Sequence, residues 1–262
     1  MNAHDALAAY DRDLRTSAEV HDALRVDHLG PLWIATYDEG RGFITYRDLD
    51  GADGADGAQV ADLVASALAH VQAIPELIEV EWKTRSHDHA PGLVEALVAA
   101  GFTAEDEESV MVGEAAALGV EVPLPDGVTL RQVRDEADLR RMVAMQDAVF
   151  GSPTSATELI RRLAEDPTIE CWVAEADGEI VTAGRLHPVP GTEFAGLWGG
   201  ATRPEWRGRG IYRALTAARA RSALKIGKSF IHSDSTDYSR PILERYGFTR
   251  VTGSVPYRWR RG

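Results

Sequence analysis

Apolar positions along the second half of the chain change period several times. Residues 170–175 and 179–186 read as two strands joined by an Asp177-Gly178 turn, and residues 194–202 read as a third strand. Apolar residues recur at helical spacing over 136–150 and 157–165, and another helix is predicted from about 210 to 226. A strand at 128–133 opens this series. A strand at 229–233, a helix at 240–246 and a strand at 254–259 close it. This alternation implies helices packed against a mixed sheet.

The first half repeats the pattern. Each half ends in a strand, a loop, a short helix, the pair Gly-Phe and a final strand: 78–85, 91–100, Gly101-Phe102 and 108–112 first, then the closing series with Gly247-Phe248. Registering the two Gly-Phe pairs gives an offset of 146, which sets Asp88 on Asp234 and Leu97 on Leu243. Upstream, the Trp-led hairpin beginning at Leu32-Trp33 registers with the one beginning at Cys171-Trp172. On that register only nine residues, 50–58, separate the return strand from the next helix of the first copy, against 24 residues between Leu186 and Ile211. A strand and a loop are therefore expected to be lost from the first copy. Asp50, Asp53 and Asp56 in that short connection lack calcium-loop spacing and a terminal Glu, and read as a flexible polar link.

Composition divides along the same line. Residues 1–119 hold 23 acidic and 7 basic side chains, a balance of −16, whereas residues 120–262 hold 18 and 21, a balance of +3. The net charge of −13 argues against wholesale nucleic-acid binding. No apolar run approaches twenty residues and Met1–Asp5 does not resemble a secretory signal, so a cytoplasmic protein without a membrane partner is expected. The single cysteine, Cys171, excludes an intrachain disulfide and reads as a buried thiol. His87-Asp88-His89 registers with Ser233-Asp234-Ser235 and reads as a turn, so no metal is expected.

The segment with the most chemistry is Pro204-Glu205-Trp206-Arg207-Gly208-Arg209-Gly210-Ile211-Tyr212, between a strand and a helix. Successive N–H groups in such a turn, at the positive end of a helix, cradle phosphate oxygens. The glycines let the backbone approach, and the arginines add charge. The glycine spacing matches neither a P-loop nor a dinucleotide fingerprint.

Residues 128–262 resemble the GNAT superfamily of N-acetyltransferases, whose pyrophosphate loop Arg/Gln-x-x-Gly-x-Gly/Ala falls here on Arg207–Tyr212, with Tyr212 in place of the small residue. The tandem repeat resembles two-domain members of that family. The resemblance implies an α/β (α+β) fold of two tandem GNAT-like units, each a mixed, mainly antiparallel sheet flanked by helices. Residues 1–115 would be a degenerate copy lacking the cofactor loop, 116–127 a linker, and 128–262 the acting domain. It also implies acetyl-CoA as co-substrate and a small-molecule or exposed-amine acceptor, on a monomer or homodimer. Gly200, Ala201 and Thr202 would pair with the pantetheine arm, and Arg207, Gly208, Arg209, Gly210, Ile211 and Tyr212 would hold the pyrophosphate, with Ser239 also counted among the cofactor-binding positions.

Amide formation from a thioester calls for a neutral amine, a stabilised oxyanion and a proton for the leaving thiolate. The family's Asn-x-x-Ala-x-x-x-Tyr pattern falls on Thr236, Ser239 and Leu243, and leucine donates no proton. Tyr238, Tyr246 and Ser239 are the alternative acids, unless the thiolate leaves unaided. Asp234 is a candidate base beside Asp237, His232, Glu193 or a water chain, although its match to Asp88 suits a loop-structuring role equally well.

Overall fold

The structure, a computed structural model, describes residues 2–49, 57–151 and 154–262, with the backbone alone for 57 and 58. The first half runs α1 (Ala3–Asp13), β1 (Arg25–Leu29), β2 (Leu32–Thr36), β3 (Arg41–Tyr46), α2 (Gly57–Gln72), β4 (Glu79–Lys83), α3 (Leu93–Ala99), β5 (Thr103–Ala104), β6 (Glu108–Glu114) and α4 (Ala115–Leu118). The second half runs β7 (Val128–Val133), α5 (Glu136–Phe150), α6 (Ala156–Glu165), β8 (Glu170–Ala176), β9 (Glu179–Pro188), β10 (Phe194–Thr202) and α7 (Ile211–Lys225). It closes with β11 (Phe230–Ser235), α8 (Arg240–Tyr246), β12 (Thr249–Ser254) and β13 (Pro256–Arg260).

Two compact units result, neither contiguous in sequence. The N-terminal unit comprises Asn2–Met111, Asp234–Pro241 and Arg250–Gly262; the C-terminal unit comprises Val112–Ser233 and Ile242–Thr249. One sheet has the strand order β1-β2-β3-β4-β13-β5, the other β12-β6-β11-β10-β9-β8-β7. Both are mainly antiparallel, and in each a helix crossover joins a parallel pair: α2 between β3 and β4, α7 between β10 and β11.

In the N-terminal unit, alternation along β2, β3 and β4 buries Leu32, Ile34, Ile44, Tyr46, Val80 and Trp82 against the apolar stripe of α2. Tyr257 and Trp259 of β13 complete that core, with β13 registered antiparallel against all five residues of β4. The strand expected at 254–259 is thus two strands, broken at Val255. Pro256 has no N–H for a ladder and stands at the start of β13, where its absence is tolerated.

The expected loss of a strand between 49 and 59 is not what the topology contains. The parallel crossover β3–α2–β4 answers to β10–α7–β11, so β3 holds the place of β10 and β2 that of β9. Among the described residues, the first half instead has no counterpart of β7. Similar Trp-led hairpins had set the register one strand out, because every strand of an antiparallel meander repeats the same local pattern. The Asp50, Asp53 and Asp56 connection lies outside the described residues.

In the C-terminal unit, Asp135 caps α5 by accepting from Asp138 N at 3.0 Å, and the helix stops at Gly151, whose φ of 75° is left-handed. One face of the sheet packs Cys171, Val173 and Ala183 against α5 and α6; on the other, Ala174, Val181 and Ile211 pack together. Burial pushes the Cys171 thiol up to about 11, which leaves it inert at neutral pH. Among the described residues, no helix is long and apolar enough to cross a membrane, and no group of three metal-ligating side chains occurs. His87 lies in a turn, its ring nitrogens bonded to Thr252 and Asp11.

Candidate active site

Strand β10 carries the site's backbone. Its register with β9 slips between Trp198 and Ala201, so Gly199 and Gly200 together face Gly184, which makes a β-bulge. Gly199 has a φ of 61°, and its carbonyl accepts from Gln146 Nε2 on α5 at 2.5 Å. On the opposite edge, β10 registers with β11 only over Phe194–Gly196 against Phe230–His232, and the Ser233 hydroxyl donates to the Leu197 carbonyl at 3.0 Å. From Trp198 onward that edge has no registered strand. A parallel pair that separates beside a bulge can take an extended ligand as an added strand.

The chain then turns through Arg203–Gly210 into α7. Arg207 Nε donates to the Thr202 carbonyl at 3.1 Å, and the Arg209 guanidinium sits 4.7 Å from the centre of the Trp206 ring. Gly208 and Gly210 have φ of 74° and 79°, and a Cβ on either would meet nothing within 4 Å. Gly210 caps α7 without a side-chain hydrogen bond, and the first turn holds no acidic residue. Uncapped first-turn N–H groups, an open left-handed turn and two arginines form an anion cradle that suits a pyrophosphate.

Residues 138–248, which span this strand, loop and helix, match the Acetyltransferase (GNAT) family. The match covers 111 of the 262 residues. The chain is 28% identical over 230 residues to a mycothiol acetyltransferase of Nocardioides, a match covering 77% of this chain and 75% of the relative. Among solved structures, a GCN5-related N-acetyltransferase from Kribbella flavida superposes with a TM-score of 0.67 at 18% identity, covering 99% of this chain and 96% of that one. A tandem GNAT protein from the clavulanic acid biosynthesis pathway gives 0.64 at 12% identity, over 100% and 97%. At these identities the structural likenesses establish the tandem GNAT fold.

Within the matched segment, the bulky Tyr212 folds back over the strand. A Cβ on Gly200 would fall 2.5 Å from the Tyr212 hydroxyl, so this glycine makes room for the ring. Tyr246, at the end of α8, packs its ring 6.2 Å from that of Tyr212, with the Arg213 guanidinium 5.9 Å from its centre. Burial and the neighbouring Tyr212 raise the Tyr246 pKa, so the phenol keeps its proton at neutral pH. On the same side of the sheet, the fully buried Arg219 of α7 lies against Gly184 and donates to the Arg185 carbonyl at 3.1 Å.

Leu243 is buried on α8, like Leu97 on α3. Asp234, Tyr238 and Ser239 belong to the N-terminal unit. Asp234 accepts from the buried Lys83 ammonium; burial opposes that charge, but Asp234, Tyr10 and Glu19 outweigh it and raise the Lys83 pKa. Asp88 is likewise ion-paired, to Arg15 at 2.7 Å. Tyr238 is 68% exposed, and the Ser239 hydroxyl donates to the Thr236 carbonyl at 3.3 Å. Asp237 pairs with Arg240, Glu193 accepts from the Ser229 hydroxyl, and His232 packs edge-on against Trp198.

Sequence reasoning missed Gln146 and Arg185. Gln146 interrupts the buried face of α5 formed by Leu139, Met142 and Val143, and Arg185 stands in phase with the buried Ala183 of β9. A polar residue at a core position of the pattern was the available signal.

Proposed function

We propose that this chain is an N-acyltransferase that moves an acetyl group from acetyl-CoA to a primary amine of a small-molecule or exposed-amine acceptor. The C-terminal unit would act by direct attack in a ternary complex, in the cytoplasm. The observation behind this reading is the open edge of β10, which leads from the Gly199–Gly200 bulge to the uncapped start of α7. Gly200, Ala201 and Thr202 would present backbone groups to the pantetheine arm, and the N–H groups of Arg207–Tyr212 would hold the pyrophosphate. Bound acetyl-CoA supplies an electrophilic thioester and a thiolate leaving group of low basicity. Tyr246 holds a proton beside Tyr212 and is the candidate acid of this unit; Tyr238 is the alternative. Asp234 would have to leave its bond to Lys83 before it could accept a proton from the amine. The N-terminal unit, with an acidic connection in place of the basic loop, would serve as a scaffold.

A second reading, a CoA-binding protein without turnover, is favoured by the buried Leu243 where the family pattern calls for a tyrosine. Calorimetry of the full chain with acetyl-CoA tests what the readings share. Binding is expected, with at least a tenfold loss, on the order of one or two charge-assisted contacts, in Arg207→Glu and Gly210→Val. No binding, or equal binding by both variants, rejects both readings. Thiol release with an amine panel then separates them. An enzyme is expected to release thiol only with an acceptor, and Tyr246→Phe to lower kcat by roughly 10²-fold or more while leaving acetyl-CoA affinity unchanged.

A further inference from the structure

Arg185 is a partly buried cation that forms no ion pair with a described residue. It registers with Cys171 on β8 and with Trp198 on β10, so its side chain shares the α5/α6 face with Cys171 and Ala183. A Cβ on Gly199 would lie 3.6 Å from Arg185 Cζ and Nη2, which sets the guanidinium beside the bulge. Among the described residues its side chain donates no hydrogen bond, Nε is sealed from solvent without a partner, and no carboxylate forms an ion pair with it. Its surroundings on balance oppose the charge: burial weighs most against it and Arg162 adds repulsion, with Cys171 and Glu158 offsetting only part. Glu158 on α6 is drawn instead into a pair with Arg162 at 2.8 Å.

The two faces of this sheet therefore differ in chemistry. Tyr212 and Arg219 lie against Gly200 and Gly184, on the side of α7 and its anion cradle. Arg185, Gln146 and Trp198 gather on the other, next to the same bulge. An unpaired guanidinium beside the reaction centre is costly unless an oxyanion completes it, and its planar fork of donors fits a carboxylate in two parallel bonds. We propose that the acceptor is a small amine that carries a carboxylate, and that Arg185 receives this carboxylate on the α5/α6 face beside Gly199. Gln146, held to the Gly199 carbonyl, would fix the floor on which the two groups meet. The acceptor would then be an α-amino acid or a short ω-amino acid, with amine and carboxylate a few bonds apart. This specificity rests on the acyl-transfer reading above.

The test uses the full chain with CoA present and a panel of α-amino acids, β-alanine and γ-aminobutyrate, each beside its own primary amide. Calorimetry measures binding and thiol release measures kcat/KM. At least one acid is expected to be preferred over its amide by about tenfold or more, the scale of one charge-assisted bidentate pair. Arg185→Met is expected to erase that preference and leave acetyl-CoA affinity unchanged. Arg185→Lys, which keeps the charge and loses the fork, is expected to retain part of it and serves if the Met variant does not fold. Equal binding of every acid and amide, or a preference that survives in both variants, overturns the proposal. Because the binding arm needs no turnover, a carboxylate preference without thiol release would uphold the Arg185 site while the acyl-transfer reading fails. Acetyl transfer that is blind to the carboxylate would do the reverse.

Discussion

At the scale of single residues, close approaches decide what each position tolerates. A Cβ at Gly184 would fall 2.6 Å from Arg219 Nη1 and 3.0 Å from Cζ, and Arg219 is fully buried. Gly184→Ala is expected to cost about 1–3 kcal/mol, the range for an overpacked core, read as a lower urea midpoint at unchanged slope. A loss below a few tenths would mean that the guanidinium moves freely. Titration offers a second check, in the N-terminal unit. The Glu108 carboxyl is pushed up to about 7 from 4.5 by burial first and then by Asp234, against the pull of Lys83. Since the folded state holds this proton more tightly than the unfolded chain, the group costs nothing below pH 4.5. Stability is lost as the pH rises from there through 7. Glu108→Gln is thus expected to raise Tm at pH 8, with a gain that fades towards pH 4.5. A gain of equal size at both pH values would show that the effect is not the carboxylate's charge.

At the scale of elements, the last strand holds the first sheet together. β13 lies between β4 and β5 and brings Tyr257 and Trp259 into the core around Trp82. Arg258 ties it to Glu79 at 2.6 Å, and also bonds to Glu81 and Glu105. Deleting 256–262 would leave β5 without a strand partner and uncover the Trp82 side of the core. Hydrogen exchange is expected to lose its protection over 79–83 and 103–104, a hundred and fifty residues or more from the cut. Protection unchanged there would contradict the strand order. The local conformation of most elements was legible beforehand: the strand at 194–202 and the helix over 240–246 lie where the pattern put them, and the α7 helix begins one residue after the last loop glycine. The Gly-Phe repeat was legible too, because a left-handed glycine after a short helix and a buried aromatic are local requirements that each copy meets separately. Strand identity in the meander was not, since the hairpins share one alternation and only the parallel crossover distinguishes the strands.

At the scale of the molecule, the sequence alone determined that two copies of one α/β unit follow each other and that only the second keeps a basic glycine turn. It also placed all of the net negative charge in the first half, −16 against +3 in the second. These are properties of periodicity, turn chemistry and counted charge, which neighbours in sequence settle among themselves. Only the tertiary structure decided which strands fill each sheet. β6 enters the order between β12 and β11, and β13 the order between β4 and β5, because pairing depends on which edges meet and not on distance along the chain. The same holds for the site. The Arg207–Tyr212 loop could be read from its residues, whereas the bulge at Gly199–Gly200, the Tyr212–Tyr246 contact and the unpaired Arg185 needed the sheet to be assembled. Whether a charge has a partner is a three-dimensional fact. The pattern can mark Arg185 as out of place among apolar neighbours, but only the packed face reveals that no described carboxylate pairs with it.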